Sequence, residues 1–223
     1  NTLFIEVSET PIISKINIDG NKLVETEQIL SSLKSIGISQ SKPYSKNLVD
    51  KVQQELTRLY YDNGRYSSLI KILENKLDDN LIELSVNIDE GLASTIKDVK
   101  IIGNKSFSTR QLKSIIKSGP KYWFEVWSDK DVYNNSLLDQ DIEAIIKYYQ
   151  DRGYAKVRLV SKQVNLSPDK KDIYITISLS EGGLYKFGKT TVYGAEDLDS
   201  QNIKNILNLN LNPGDPFSRA IIE

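Results

Sequence analysis

The chain repeats itself. The stretch Tyr60-Tyr61-Asp62-Asn63-Gly64-Arg65-Tyr66 returns as Tyr148-Tyr149-Gln150-Asp151-Arg152-Gly153-Tyr154. Each copy is preceded by apolar residues at helical spacing and followed by apolar–polar alternation, with a glycine at the change of period. A fold that accommodates both copies is built from like units, each joining a helix to a strand at this point.

Other repeats extend the pattern over the whole length. Alternation of strand type recurs at residues 2–9, 82–90 and 173–181, and the first copy reads as the last strand of a preceding domain. A further strand follows each and ends at Gly20-Asn21, Gly103-Asn104 or Gly194-Ala195, where a turn needs positive φ at low cost. Helix starts then align at Thr26, Thr109 and Ser200, read as capping hydroxyls, and the short helices end near Gly37, Gly119 and Asn212. A second helix opens after Pro43-Tyr44-Ser45, Val132-Tyr133-Asn134 and Pro216-Phe217-Ser218. Val49, Val52, Leu56, Leu59 and Tyr60 form its apolar stripe in one copy, and Leu138, Ile142, Ile145 and Tyr149 in the other. Two strands complete the unit, near 68–75 and 81–88 across Asp78-Asp79-Asn80, and near 155–164 and 173–179 through Ser167-Pro168-Asp169-Lys170. The order strand, helix, helix, strand, strand gives an α+β unit with two helices on one face of a three-stranded mixed sheet. The expected organisation is the end of one domain at 1–9, domains at 10–91 and 92–182, and the start of a further one at 183–223. The links are short, which predicts an elongated array with restricted hinges.

Composition removes several function classes. Twenty-nine basic and thirty acidic residues, interspersed, leave a net charge of −1, which argues against a nucleic-acid partner. No apolar run approaches the roughly 18 residues of a helical membrane span. Histidine and cysteine are absent, and with them the commonest general base, the thiol nucleophile and the N/S metal ligands. The carboxylate pairs Asp78-Asp79 and Asp139-Asp141 fall in a turn and on a polar helix face, where a solvated role is expected. No Walker-type phosphate loop occurs. The chain is therefore expected to have no catalytic residue, no metal site and no cofactor.

The order of elements, with Gly-Asn after the first strand, Tyr-Tyr-x-x-x-Gly ending the second helix and Glu-Gly closing the last strand, resembles the POTRA domain. Trp123 within residues 120–124, the 148–155 stretch, Leu166-Ser167-Pro168-Asp169-Lys170-Lys171 and Glu181-Gly182 are similar to the third such domain of the BamA family of outer-membrane protein assembly factors. The resemblance covers essentially the whole chain. It implies periplasmic domains of a Gram-negative outer-membrane protein whose C-terminal β-barrel lies outside this sequence. The implied role is a scaffold that guides unfolded outer-membrane proteins and docks accessory lipoproteins. Another barrel-linked transporter, such as a two-partner secretion pore or a translocation factor, stays open as an alternative. So do a cell-division membrane protein with one such domain and an envelope enzyme.

The candidate site is backbone rather than side chain. If the last strand of a unit is central, the strand before it is an edge whose unpaired amides and carbonyls accept a strand from another chain. In the second unit Ala155, Val157 and Leu159 alternate with Lys156 and Arg158 as far as Val160, and this edge is expected to dock a protein strand or accessory lipoprotein. In the first unit Leu69, Ile70, Ile72 and Leu73 place apolar residues on both faces, so Ile70 and Ile72 are expected to be exposed or covered by a partner. Trp123 and Trp127 read either as a contact for apolar clients or as rings that cap the core or brace a neighbouring domain; Tyr60 and Tyr149 read as core. One difference between the copies carries a further expectation. Arg65 separates Gly64 from Tyr66, whereas Tyr154 follows Gly153 directly, and a one-residue slip there would turn the next strand onto its other face.

Overall fold

Strand β1 (Ile12–Asp19) shows how the sequence pattern becomes a sheet. Under strict alternation Ile13 would share a face with Lys15 and Asn17. In the computed structural model, a bulge at Ser14 shifts the parity. Ile13, Ile16 and Ile18 then lie opposite Ile82, Leu84 and Val86 of β3 (Leu81–Asp89), on one side of the sheet. The second unit repeats the device in β4 (Thr95–Ile102), where a bulge at Lys97 sets Ile96, Val99 and Ile101 opposite Ile173, Ile175 and Ile177 of β6 (Asp172–Ser180). The structure describes residues 9–121, 130–189 and 212–222. The chain divides into two compact units, 1–94 and 95–223. The expected strands at 2–9 and 191–195, the helix start at 200 and both tryptophans lie outside the described residues, save Glu9.

Each unit holds a three-stranded mixed sheet. The orders are β1-β3-β2 and β4-β6-β5, where β2 is Leu69–Lys76 and β5 is Arg158–Leu166. The first strand runs parallel to the central one and the hairpin partner antiparallel. The first hairpin turns through Asp79 and Asn80, both at positive φ, and the second through Lys170. Helix α1 (Thr26–Ile36) and helix α2 (Lys46–Asp62) cover one face of the first sheet, burying Ile29 and Leu33, and Val49, Val52, Leu56 and Tyr60. In the second unit α3 (Thr109–Lys113) buries Leu112, and α4 (Asn135–Gln150) buries Leu138, Ile142, Ile145 and Tyr149. The α+β architecture is thus the expected one. No helix among the described residues is long and apolar enough to cross a membrane.

Three local readings are corrected. Thr26 and Thr109 are not the caps. Glu25 and Ser108 occupy those positions, and only Ser108 closes a capping box, with Gln111. The threonine hydroxyls instead accept from the Asn21 and Asn104 side chains, at 3.0 and 3.1 Å, and so brace the Gly-Asn turn. Helix α3 stops at Lys113, well before the expected end near Gly119. Asp141 takes the N–H groups of Lys117 and Ser118, each at 2.8 Å, which draws that backbone away from a continued helix. Asp141 is accordingly buried, at 3% exposure, not solvated as its neighbour Asp139 is.

The repeated motif ends α2 and α4 and meets the other motifs there. Glu90 Oε1 accepts the N–H groups of Lys22 and Leu23, both at 2.6 Å, and the Tyr60 hydroxyl at 3.2 Å. Glu181 accepts the Ser106 N–H and hydroxyl and the Tyr149 hydroxyl, each at 2.8 Å. Burial pushes both carboxyls up, but the donated hydrogen bonds outweigh it and hold them below the usual carboxylate range. Burial beside these carboxylates pushes the Tyr60 and Tyr149 hydroxyls well up. Both tyrosines are core residues with no exposed surface. The glycine of each Gly-Asn turn lies against the central strand. A Cβ on Gly20 would fall 1.9 Å from the Ile88 carbonyl oxygen, and one on Gly103 2.1 Å from that of Leu179, in addition to the positive φ.

Candidate functional site

The strand orders leave β2 and β5 at the sheet edges, as the central-strand argument requires. Their lead-ins are built alike. After the buried tyrosine, Arg65 and Tyr154 donate to the carbonyls of Tyr60 and Tyr149 at 2.8 and 3.1 Å, and Ser68 and Val157 donate to Arg65 and Tyr154 at 3.0 and 3.1 Å. The carbonyl of Gly64 accepts the Ser94 N–H at 2.9 Å, and that of Gly153 the Tyr185 N–H at 2.7 Å, so the helix end also holds the outgoing link. Leu69 then pairs with Asp89 and Ile70 with Ile88, and Arg158 with Ser180 and Leu159 with Leu179. The glycine–tyrosine offset therefore does not turn the strand over, because Arg65 and Tyr154 make the same backbone bond whatever their side chains.

In β2 the faces are the reverse of those expected. Ile70 is buried and Ile72 packs partly buried on the core, because they stand opposite Ile88 and Val86, which face the helices. Leu69 and Leu73 face out, 52% and 50% exposed, with Lys71 between them. Toward the hairpin Glu74 returns to the helix side, where Lys46 Nζ donates to it at 2.9 Å. Burial pushes Glu74 up, but its bonds from Lys46 and Tyr44 win and lower it. Burial, followed by the bond to Glu74, pushes the Tyr44 hydroxyl up to about 12. Lys46 is raised by its bonds to Glu74 and Asp50.

The expected edge at 155–160 is only partly strand. Ala155 and Lys156 form a turn, Val157 follows it with a buried side chain, and β5 begins at Arg158. Lys156 instead places its ammonium 5.4 Å from the centre of the Tyr185 ring. Arg158 is exposed and Leu159 half-buried, as expected; Val160, 56% exposed, has no partner on β6, because a bulge separates Leu159 from Ser161. Beyond the bulge Lys162 stands opposite Ile177, the position that Ile72 holds opposite Val86 in the first unit. Its ammonium is held on the helix side by Asn135 Oδ1 at 2.8 Å and Asp139 Oδ1 at 2.5 Å. That Leu69 and Leu73 are the outward pair, and that Lys162 turns inward, escaped the sequence reading. A signal for the bulge was present: Leu159 and Val164 both face the core side but are an odd number of residues apart, which no regular strand allows.

No group of three acidic side chains that could hold a metal ion occurs among the described residues. The arrangement offers main-chain groups at the sheet edges for pairing.

The POTRA family model, described as "Surface antigen variable number repeat", matches residues 11–91 and 94–182. The chain is similar to the outer membrane protein assembly factor BamA of Neisseria meningitidis serogroup B, 28% identical over 195 residues, covering 86% of this chain and 24% of that protein. It is similar also to BamA of Buchnera aphidicola, 29% identical over 223 residues, covering 100% of this chain and 36% of that protein. The chain thus spans between 24% and 36% of the length of these curated relatives. Among solved structures, the BamA POTRA3-5 fragment of Haemophilus influenzae aligns over 99% of this chain and 85% of its own, with 15% identity and a TM-score of 0.47.

Proposed function

The chain belongs to the POTRA family, and from that premise we propose that it is a non-catalytic scaffold that holds extended segments of unfolded outer-membrane proteins, and accessory lipoproteins, at the edges of its sheets. Its place is the periplasmic side of the outer membrane, as part of a protein that assembles β-barrels there. The observation that carries the reading is the strand order, which leaves β2 and β5 with one side free of any other strand among the described residues. Such an edge offers a row of N–H and C=O groups that any extended chain can satisfy, with little dependence on sequence. That suits a scaffold with many clients.

The test is site-specific photocrosslinking to an unfolded β-barrel protein, with the reactive residue placed in turn along β2, along β5 and on the outer surface of α1. Capture along a sheet edge, and not at exposed helix positions such as Ser31, is the expected result. Capture at the helices alone overturns the reading.

A further inference from the structure

We propose that the second unit carries a binding site for a carboxylate borne on a polypeptide, in the cleft between the end of α3 and the segment around Gly119, with Arg110 as its principal contact. The site lies beside β4, across the sheet from β5, and goes beyond the strand-edge reading.

The cleft exists because α3 is short. Asp141 takes the amides of Lys117 and Ser118, so the helix ends at Lys113 and leaves an opening of about 400 Å³. In the first unit the matching helix runs on to Ile36. With Thr26 aligned to Thr109, it carries Glu27 and Leu30 at the places of Arg110 and Lys113. The short helix and its two basic residues thus occur together in the second unit, and neither occurs in the first.

Three cations line the cleft, and no carboxylate among the described residues does. Arg110 and Lys113 come from α3, where cations near a helix end are ordinary. Lys130 comes from a different segment. Its Cε lies 3.2 Å and its Nζ 3.9 Å from where a Cβ on Gly119 would stand, so its side chain runs across that glycine. The Gly119 N–H donates to the Lys130 carbonyl at 2.9 Å, which ties that side of the opening together. Lys113 is paired with Asp98 at 3.0 Å, whereas the Arg110 guanidinium is exposed and has no partner among the described residues. Ser118 also lines the cleft, 1% exposed, and its hydroxyl has no hydrogen-bond partner. A buried donor is costly to leave unpaired, and an anion supplies the missing acceptor.

Charge and size choose the ligand. A guanidinium fork matches the two oxygens of a carboxylate. With Lys113 already paired, one negative charge suits the cleft better than the two of a phosphate. The opening is too large for a bare ion, and Ile116 and Pro120 add apolar wall, so the carboxylate is carried on a larger body with an apolar neighbour. An acidic side chain and the C-terminal residue of a polypeptide both meet that description.

The probes are three short fluorescent peptides of one apolar sequence: one with a free C-terminal carboxylate, one amidated, and one amidated with an internal glutamate. Each is titrated against the full 223-residue chain and followed by anisotropy. At least one acidic peptide should bind about tenfold more tightly than the neutral one, and which of them does so identifies the source of the carboxylate. Arg110→Gln should abolish that difference and leave the urea midpoint unchanged, since the side chain is exposed. Ser118→Ala should narrow the difference without destabilising the fold, because its hydroxyl has no bond to lose. Equal binding of all three peptides, or a difference that persists in Arg110→Gln, overturns the proposal. So does displacement of the acidic peptide by an equal concentration of inorganic phosphate. Strand addition is judged separately, by capture along β2 and β5, which Arg110→Gln should leave unchanged.

Discussion

Glu90 and Glu181 illustrate how one residue gathers distant parts of a unit. Each carboxylate joins the loop after the first strand to the hydroxyl of the buried tyrosine at the end of the long helix. Hydrogen bonds to a charged acceptor are among the stronger ones, and removing a buried acceptor strands its donors. Glu181→Gln is therefore expected to cost about 2 kcal/mol in urea unfolding. Tyr149→Phe should cost less in a Glu181→Ala background, which removes the acceptor, than in the unaltered chain, because the two share one bond. An equal cost in both backgrounds would show that the bond contributes nothing. The sequence displayed Glu-Gly and Tyr-Tyr as separate motifs. That they meet was not legible, since a hydrogen bond between residues 149 and 181 leaves no periodicity behind.

At the scale of elements, legibility followed parity and hydrogen-bonding demand. Strand and helix identities were readable because Ile82, Leu84, Val86 and Ile88 alternate, and because Val49, Val52, Leu56 and Tyr60 recur at helical spacing. The faces of β2 were not, because Leu69, Ile70, Ile72 and Leu73 fit either face and only pairing with β3 decides. Pairing likewise places the edge of the second unit at Arg158, and a bulge at Val160 interrupts it. Helix α3 is short because Asp141 on another helix takes the amides that would have extended it. Such a helix depends heavily on its cap. Ser108→Ala should destabilise the second unit by about 1 kcal/mol, read from thermal or urea unfolding. Glu25→Ala in the first unit, whose side chain makes no cap bond, should have a much smaller effect, and comparable losses at the two sites would contradict this account.

For the molecule as a whole, both units carry the same carboxylate–tyrosine contact, and the pH dependence of stability follows from it. Glu90 and Glu181 titrate lower when folded than when unfolded. Their stabilisation is complete above about pH 4.3, the unfolded value, and is lost as pH falls through their folded values. Tyr44, Tyr60 and Tyr149 titrate higher when folded, so their stabilisation is complete below about pH 10 and is lost as pH rises through the folded values. Urea midpoints measured against pH should show acid and alkaline losses outside these bounds. Glu90→Gln with Glu181→Gln should reduce the acid loss, leaving the part that Glu74 and Asp169, also lowered, contribute. An acid loss undiminished by both substitutions would place its origin in other carboxylates.

The parallel pairing of β1 with β3 has a mechanical consequence. The chain enters a unit at Ile12, beside Leu81, and leaves it past Asp89, at the other end of the same pair of neighbouring strands. Tension applied through these two points loads the evenly spaced bonds of the ladder together, in shear. Tension applied through Leu69 and Asp89, which face each other at one end of the hairpin, opens the bonds one after another. A single-molecule pull across residues 12 and 89 should thus need a distinctly higher force than one across 69 and 89, and equal forces would show that β1 yields before the ladder is loaded. Each unit takes load along the chain as a shear joint.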